Sequence, residues 1–176
     1  MILLVLKALY FFLPVYAANM APVFAQRLGL PLHQPISARF FGEHKTWRGY
    51  IFGYLVALLV VFVQELLASQ HFEIVNRISI VDYQNTSILL LAFAFGVGAL
   101  TGDLVKSFIK RCLHIKPSAA WFPLDQLDFV IGALVFLYPI YRPPLHVVIV
   151  LLIITPGLHL ATNAIAYRLG LKSVWW

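Results

Sequence analysis

Long stretches of this chain carry almost no charge, and that limits what it can fold into more than any other feature. Met1 to Gln26 holds one charged side chain, Lys7, whose stem is long enough to reach an interface. Gly49 to Leu67 holds only Glu65, and Tyr83 to Gly102 and Leu145 to Tyr167 hold no Asp, Glu, Lys or Arg. A helix crosses the hydrocarbon core of a bilayer with about 20 apolar residues. In lipid every backbone polar group must be satisfied within its own segment or by neighbouring protein, so such runs are read as membrane helices. Pro14, Asn19 and Pro22 predict a kinked end of the first helix, facing protein.

A further run, Phe129 to Tyr141, has only 13 uncharged residues before Arg142-Pro143-Pro144. At about 1.5 Å per residue it reaches roughly 20 Å, short of a core of roughly 30 Å. Its helix is expected to start earlier, near Asp125, with a first turn lining a polar cavity; a re-entrant segment is the alternative. Composition agrees with a membrane chain. Of 176 residues, 61% are hydrophobic and 11% charged, with a mean hydropathy of +0.87. A soluble domain this small could not cover its surface with so few charges. The expectation is an all-α integral membrane protein, one domain over residues 1–176, with about five transmembrane helices.

The sites of the basic residues predict the orientation. With five spans, ten Lys and Arg fall on one side: Arg27, Arg39, Lys45, Arg48, Lys106, Lys110, Arg111, Lys116, Arg168 and Lys172. Three fall on the other, Lys7, Arg77 and Arg142. The rule that cytoplasmic loops carry the excess puts the N-terminus outside and the C-terminus in the cytoplasm. The net charge of +6 therefore reflects membrane orientation and phosphate binding, not nucleic acid. Val23 and Ala25 mimic a signal-peptide cleavage site, but no basic region precedes the apolar run. The single cysteine, Cys112, excludes an intrachain disulfide and a cysteine metal cluster. The loop from Gly29 to Pro35 reads as irregular, and the outer loop from Ser69 to Asn85 as polar.

Three stretches on the predicted cytoplasmic side carry chemistry. Gly42-Glu43-His44-Lys45-Thr46-Trp47-Arg48-Gly49 leads into the second span. Lys45, Thr46 and Arg48 at a helix start suit phosphate oxygens, because free backbone N–H groups and the helix dipole would add to the side chains; a basic membrane flank is the plainer reading. Thr101 to Arg111 places Asp103, Lys106, Ser107 and Lys110 on one helical face. An acidic group at membrane depth is a functional candidate, and an internal ion pair with Lys106 or Ser107 is the plainer account. Asp125 and Asp128, three apart, share a face at the start of the short segment. Adjacent carboxylates repel unless a cation lies between them, and oxygen ligands favour Mg²⁺ or Mn²⁺ over zinc. An N-cap with an acidic first turn explains them otherwise. Together, the carboxylates and the Lys and Arg groups describe a site for a metal-bound polyphosphate.

These motifs resemble the phosphatidate cytidylyltransferase (CDP-diacylglycerol synthase) family. Ser107-Phe108-Ile109-Lys110-Arg111 matches the opening of its signature, Lys116 follows after four residues, and Asp125-Gln126-Leu127-Asp128 matches its close. Lys45-Thr46-Trp47 and Gly102-Asp103 resemble two further elements. The chain departs at Pro117, Arg48, Gln126 and Ala119-Ala120-Trp121-Phe122-Pro123, where the family has Asp, Glu, Arg and a His-Gly-Gly element. With its short length and its Thr155-Pro156, His159, Asn163 and Leu169-Gly170-Leu171-Lys172, it looks more like the compact archaeal branch, the CDP-archaeol synthases.

The resemblance implies transfer of CMP from CTP to a di-O-geranylgeranylglycerol phosphate, an isoprenoid ether lipid phosphate, with release of pyrophosphate. It implies Asp103, Lys110, Arg111, Asp125 and Asp128 as catalytic residues, with Asp103, Asp125 and Asp128 on Mg²⁺. His44, Lys45, Thr46, Arg48, Ser107 and Lys116 would bind CTP or phosphate. His159, Asn163, Thr155 and Thr162 read as a polar helix–helix seam or as contacts to the site. A diacyl lipid acceptor is the alternative substrate. From another class, a small transporter is the rival, favoured most by Glu65; a non-catalytic scaffold would leave the clustered aspartates unexplained.

Overall fold

The computed structural model describes residues 1–116 and 119–171. Pro117, Ser118 and the basic tail residue Lys172 lie outside the described residues. Among the described residues seven helices follow in order: α1 Ile2–Arg27, α2 Ala38–Phe41, α3 Trp47–Ser69, α4 Glu73–Ile78, α5 Ile88–Cys112, α6 Leu124–Leu137 and α7 Leu145–Arg168. Four of them, α1, α3, α5 and α7, are long and apolar enough to cross a membrane. Their outward faces are apolar, with Leu59, Leu89, Val135 on α6 and Ile153 exposed, as a lipid-facing surface requires.

α6 begins at Leu124, as expected for a segment that starts near Asp125, and has 14 residues. That is roughly 21 Å of helix, which keeps it below the length of a full span. α1 runs unbroken through Pro14 and Pro22. The helix that carries Asp103 starts at Ile88, later than the hydropathy suggests, and continues to Cys112. Apolarity ends at Gly102, but Leu104, Val105, Phe108 and Ile109 still give the last turns an apolar side. The outer loop is not merely polar. It folds into α4, whose Val75 is buried.

The packing that matters for the site is the contact between α5 and α6. Here the helices meet backbone to backbone. A Cβ on Gly102 would run into the Asp128 carbonyl and come within 3.0 Å of Gly132 Cα, and one on Gly132 would reach Gly102 Cα at 2.7 Å. Gly98, one turn earlier, approaches Ala133 Cα in the same way, at 3.0 Å. Small residues four apart are the usual device for close helix approach in membranes. Here they set Asp103, Lys106 and Lys110 of α5 beside Asp125 and Asp128 of α6.

Away from the charged end, the bundle is filled by aromatic rings. Phe11 meets Phe95 edge-on at 5.3 Å, Phe12 meets Phe95 at 6.1 Å, and Tyr16 meets Phe129 at 6.2 Å. All four phenylalanines are buried. In the opposite half Gln64 donates to the Tyr10 carbonyl at 2.5 Å, Tyr83 donates to Gln64 Oε1 at 3.3 Å, and Tyr141 donates to the Ile80 carbonyl at 2.5 Å.

Candidate active site

A cavity of about 810 Å³ opens at one end of the bundle, within the size range of small-molecule sites. α5 contributes Asp103, Lys106, Ser107, Lys110 and Arg111, and α6 contributes Asp125, Gln126 and Asp128. The segment before α3 contributes Gly42, Glu43, His44, Lys45 and Thr46. α1 and α7 close it with Asn19, Gln26, His159 and Asn163.

Its centre is a charge cluster. Lys106 Nζ lies 2.8 Å from Asp128 Oδ2, 3.2 Å from Asp103 Oδ1 and 3.2 Å from Asp125 Oδ1. Lys45 pairs with Asp103 across from α3. Lys110, only 4% exposed, meets Asp125 Oδ1 at 2.7 Å and donates to the Ala119 carbonyl at 2.8 Å. Asp125 also accepts from Trp121 N at 2.6 Å, so its carboxylate ties down the turn into α6. Asp128 Oδ1 accepts from Phe129 N at 2.7 Å. Three ammonium groups thus face three carboxylates with little access to water, where such interactions are weakly screened.

Of the residues expected in the site, Asp103, Asp125, Asp128, Lys110, Arg111, Ser107, His44, Lys45 and Thr46 line one cavity. Two do not. Arg48 turns away and donates through Nη1 to the Leu30 carbonyl at 2.9 Å. Lys116 is exposed and is not part of the cavity wall. The start of α3 is also not the free anion site that its position suggests. Trp47 N donates to the Gln34 carbonyl at 3.1 Å, Arg48 N to the Leu32 carbonyl at 2.7 Å, and Gly49 N to Thr46 Oγ1 at 3.2 Å. The irregular loop folds back on the helix start and consumes its first donors. Ser107 is likewise engaged, its hydroxyl donating to the Asp103 carbonyl at 2.8 Å. Arg111, by contrast, lines the cavity with a buried Nε that makes no hydrogen bond.

On α7 the two readings divide by residue. Thr155 shares a hydrogen bond of 2.8 Å with Tyr16 of α1, which is the helix–helix seam, and Thr162 bonds its own helix at 3.0 Å. His159 and Asn163 line the cavity, 3.4 Å apart through Nδ1 and Nδ2.

Lys106, which the sequence puts on the face of Asp103 without a role of its own, lines the cavity beside it. Asn19 and Gln26 are two turns apart on one face of α1, a polar stripe at a helix end that could have been noticed. Gln126, 3% exposed with a buried Oε1 lacking a hydrogen bond, lies inside the signature at a position where the resembling family has Arg.

The donor set bears on whether a metal fits. Among the described residues no three Asp, Glu, His or Cys side chains are arranged to share an ion, because each of the three aspartates turns to Lys106. Yet they are hard oxygen donors converging from two helices on a single cation. The chemistry and charge of that position suit a divalent ion.

Comparisons with known proteins agree with one another. The whole chain, residues 1–176, matches the family described as CarS-like: CDP-archaeol synthase. The CDP-archaeol synthase of Methanocaldococcus jannaschii is 40% identical over 178 residues, covering 98% of this chain and 98% of that protein. Those of Methanococcus maripaludis and Pyrococcus furiosus are 35% and 36% identical, covering 100% and 98% of this chain and 99% and 98% of theirs. A solved structure described as an intramembrane enzyme for archaeal membrane lipids biosynthesis superposes with a TM-score of 0.71 at 27% identity, covering 90% of this chain and 94% of that one.

Proposed function

The chain belongs to the CDP-archaeol synthase family, and from that premise we propose that the cavity between α5 and α6 is where CMP passes from CTP to an archaeal lipid phosphate. The protein is a CTP-dependent cytidylyltransferase of archaeal phospholipid synthesis, working in the membrane. The observation that carries the assignment of the site is the charge cluster: three aspartates and three lysines from α3's approach, α5 and α6, converging in one cavity.

The reaction needs little from a general base. The attacking group is an oxygen of the lipid phosphate, already ionised at neutral pH. It forms a bond to the α-phosphorus of CTP as the bond to the bridging oxygen breaks, and pyrophosphate leaves. The protein must position both phosphates and offset the charge that builds on the leaving group. Lys45 and Arg111 both line the cavity and suit the triphosphate. His44 and Thr46 line the same wall. Lys110 acts at one remove, holding Asp125 and the segment at Ala119 in place. Asp103, Asp125 and Asp128 would hold a divalent cation, Mg²⁺ on ligand chemistry. When bound, such an ion supplies positive charge to the phosphate oxygens in the transition state.

The lipid arrives from the bilayer and CTP from the aqueous side. α6 is too short to wall the cavity along a full bilayer, and its neighbours α1 and α7 line the cavity with the polar side chains of Asn19, Gln26, His159 and Asn163, which suit a glycerol phosphate. The excess of Lys and Arg in the loops that carry the site supports a cytoplasmic orientation, with five spans when α6 is counted. The acceptor is a di-O-geranylgeranylglycerol phosphate. The charged groups gather at one end of the bundle, while the rest is filled largely by aromatic and apolar side chains, which disfavours a transporter.

Purified protein in detergent, given CTP, Mg²⁺ and a panel of lipid phosphates, is expected to release pyrophosphate with the isoprenoid ether lipid and far less with diacyl phosphatidate. Equal turnover with both would remove the acceptor assignment, and none with any lipid would remove the function.

A further inference from the structure

We propose that Lys106 is an internal counter-ion that occupies the metal position until nucleotide arrives, so that metal and CTP bind together. The proposal rests on the reading of Asp103, Asp125 and Asp128 as metal ligands and goes beyond it. Lys106 Nζ stands within 3.2 Å of all three carboxylates, one from α5 and two from α6. Its side chain is 16% exposed, and the carboxylate it approaches most closely, that of Asp128, is 5% exposed. The other two lysines have their own assignments: Lys45 is paired with Asp103, and Lys110 with Asp125. Among the described residues Lys106 is the one cation in salt-bridge contact with Asp128. An ammonium that bridges three carboxylates in this way fills the space a hard cation would take.

Charge balance then decides the order of events. With Lys106 in place, three ammonium groups match three carboxylates. A divalent ion entering alone would add two uncompensated charges next to an ammonium, in a partly buried site where repulsion is weakly screened. An ion arriving with a triphosphate brings its own negative charge. The same phosphates offer Lys106 a new partner as it yields its place. Metal and nucleotide must therefore tighten each other's binding, and by the same factor. The protein holds no metal tightly at rest and assembles its site only around nucleotide.

Mn²⁺ is the probe, with free ion measured by electron paramagnetic resonance on the full chain in detergent. Without nucleotide the wild type is expected to bind Mn²⁺ weakly. Lys106→Gln and Lys106→Met, which remove the ammonium and keep the carboxylates, should bind nucleotide-free Mn²⁺ at least about tenfold more tightly. Lys106→Arg keeps a cation and should stay weak. The factor by which CTP tightens Mn²⁺ binding should shrink in the neutral variants to the same degree. A lysine with only a structural role gives the opposite sign, since its loss would scatter the carboxylates and weaken Mn²⁺. If the neutral variants do not fold, the wild type still decides: Mg²⁺ alone at millimolar concentration should leave Tm unchanged, and Mg²⁺ with CTP should raise it above CTP alone. Tight Mn²⁺ binding by nucleotide-free wild type would overturn the role of Lys106 and leave the metal site standing. Absence of Mn²⁺ binding in every protein even with CTP would sink both.

Discussion

Lys110 matches a motif, and the fold engages it within the protein. Its ammonium is spent on Asp125 and the Ala119 carbonyl, so it steadies the turn into α6. Removing one partner of a buried ion pair costs about 3–5 kcal/mol, while removing both together costs much less. Lys110→Met is therefore expected to lower the melting temperature sharply, and the double variant Lys110→Met with Asp125→Asn to recover part of the loss. A double variant no more stable than the single one would show that the pair does not carry the effect. Lys45 and Lys116 form a second contrast. Lys45→Ala should weaken CTP binding by roughly ten- to a hundredfold, as for loss of a hydrogen bond to a charged group. Lys116→Ala, outside the cavity, should leave it unchanged; calorimetric titration with CTP separates the two. Single residues were partly legible in the sequence. Asp103 stood out as a carboxylate at membrane depth, and Asp125 and Asp128 as a pair three apart on one helical face, although each had a plain structural reading beside it. Arg48 misled because its charge and position fit phosphate, and only the folded loop reveals that Leu30 takes its hydrogen bond.

At the scale of elements, the close approach of α5 and α6 makes the site possible. Gly98, Gly102 and Gly132 let the two backbones touch, and the carboxylates that face each other do so because the helices cannot be further apart. A methyl on Gly102 would meet the Asp128 carbonyl, which is backbone and cannot turn aside. Overpacking of this kind typically costs 1–3 kcal/mol and occasionally more. Gly102→Ala is expected to fall at the upper end, about 3 kcal/mol, and to reduce turnover by moving Asp128 off Lys106 and Asp103. Thermal unfolding in detergent and pyrophosphate release check both parts; a variant with wild-type stability and activity would mean that the helices have room to spare. The long helices were readable from hydropathy because a membrane span needs only length and apolarity. The ends were not. α5 extends ten residues past Gly102 to Cys112, because its last turns are amphipathic and not simply apolar. α4 was invisible for the related reason that one buried valine holds it down.

The whole molecule divides into two ends, an aromatic plug and a charged cavity, and this polarity is what distinguishes an enzyme working at one membrane face from a conduit. The uneven distribution of Lys and Arg predicts that the cavity faces the cytoplasm. Cys112, the only cysteine and exposed at the end of α5 beside Arg111, is a native reporter. A membrane-impermeant maleimide should label it from the cytoplasmic side of sealed vesicles only, and a cysteine at Arg77 in a Cys112→Ser background from the outer side only. The reverse pattern would overturn the orientation. Sequence carried the whole-molecule reading far, since hydropathy, charge bias and a spaced signature are all linear properties. It could not carry the placement of Lys106 among three carboxylates, which depends on how two helices meet. The central claim is that these aspartates, and not some other part of the bundle, support the transfer. Its most direct measurement follows the α-phosphorus of labelled CTP into lipid, comparing wild type with Asp125→Asn and Asp128→Asn at matched folded concentration. The account predicts label in the lipid from the wild type and a loss of more than about tenfold in each variant, since each carboxylate balances charge in the transition state. Undiminished transfer by either folded variant would contradict it.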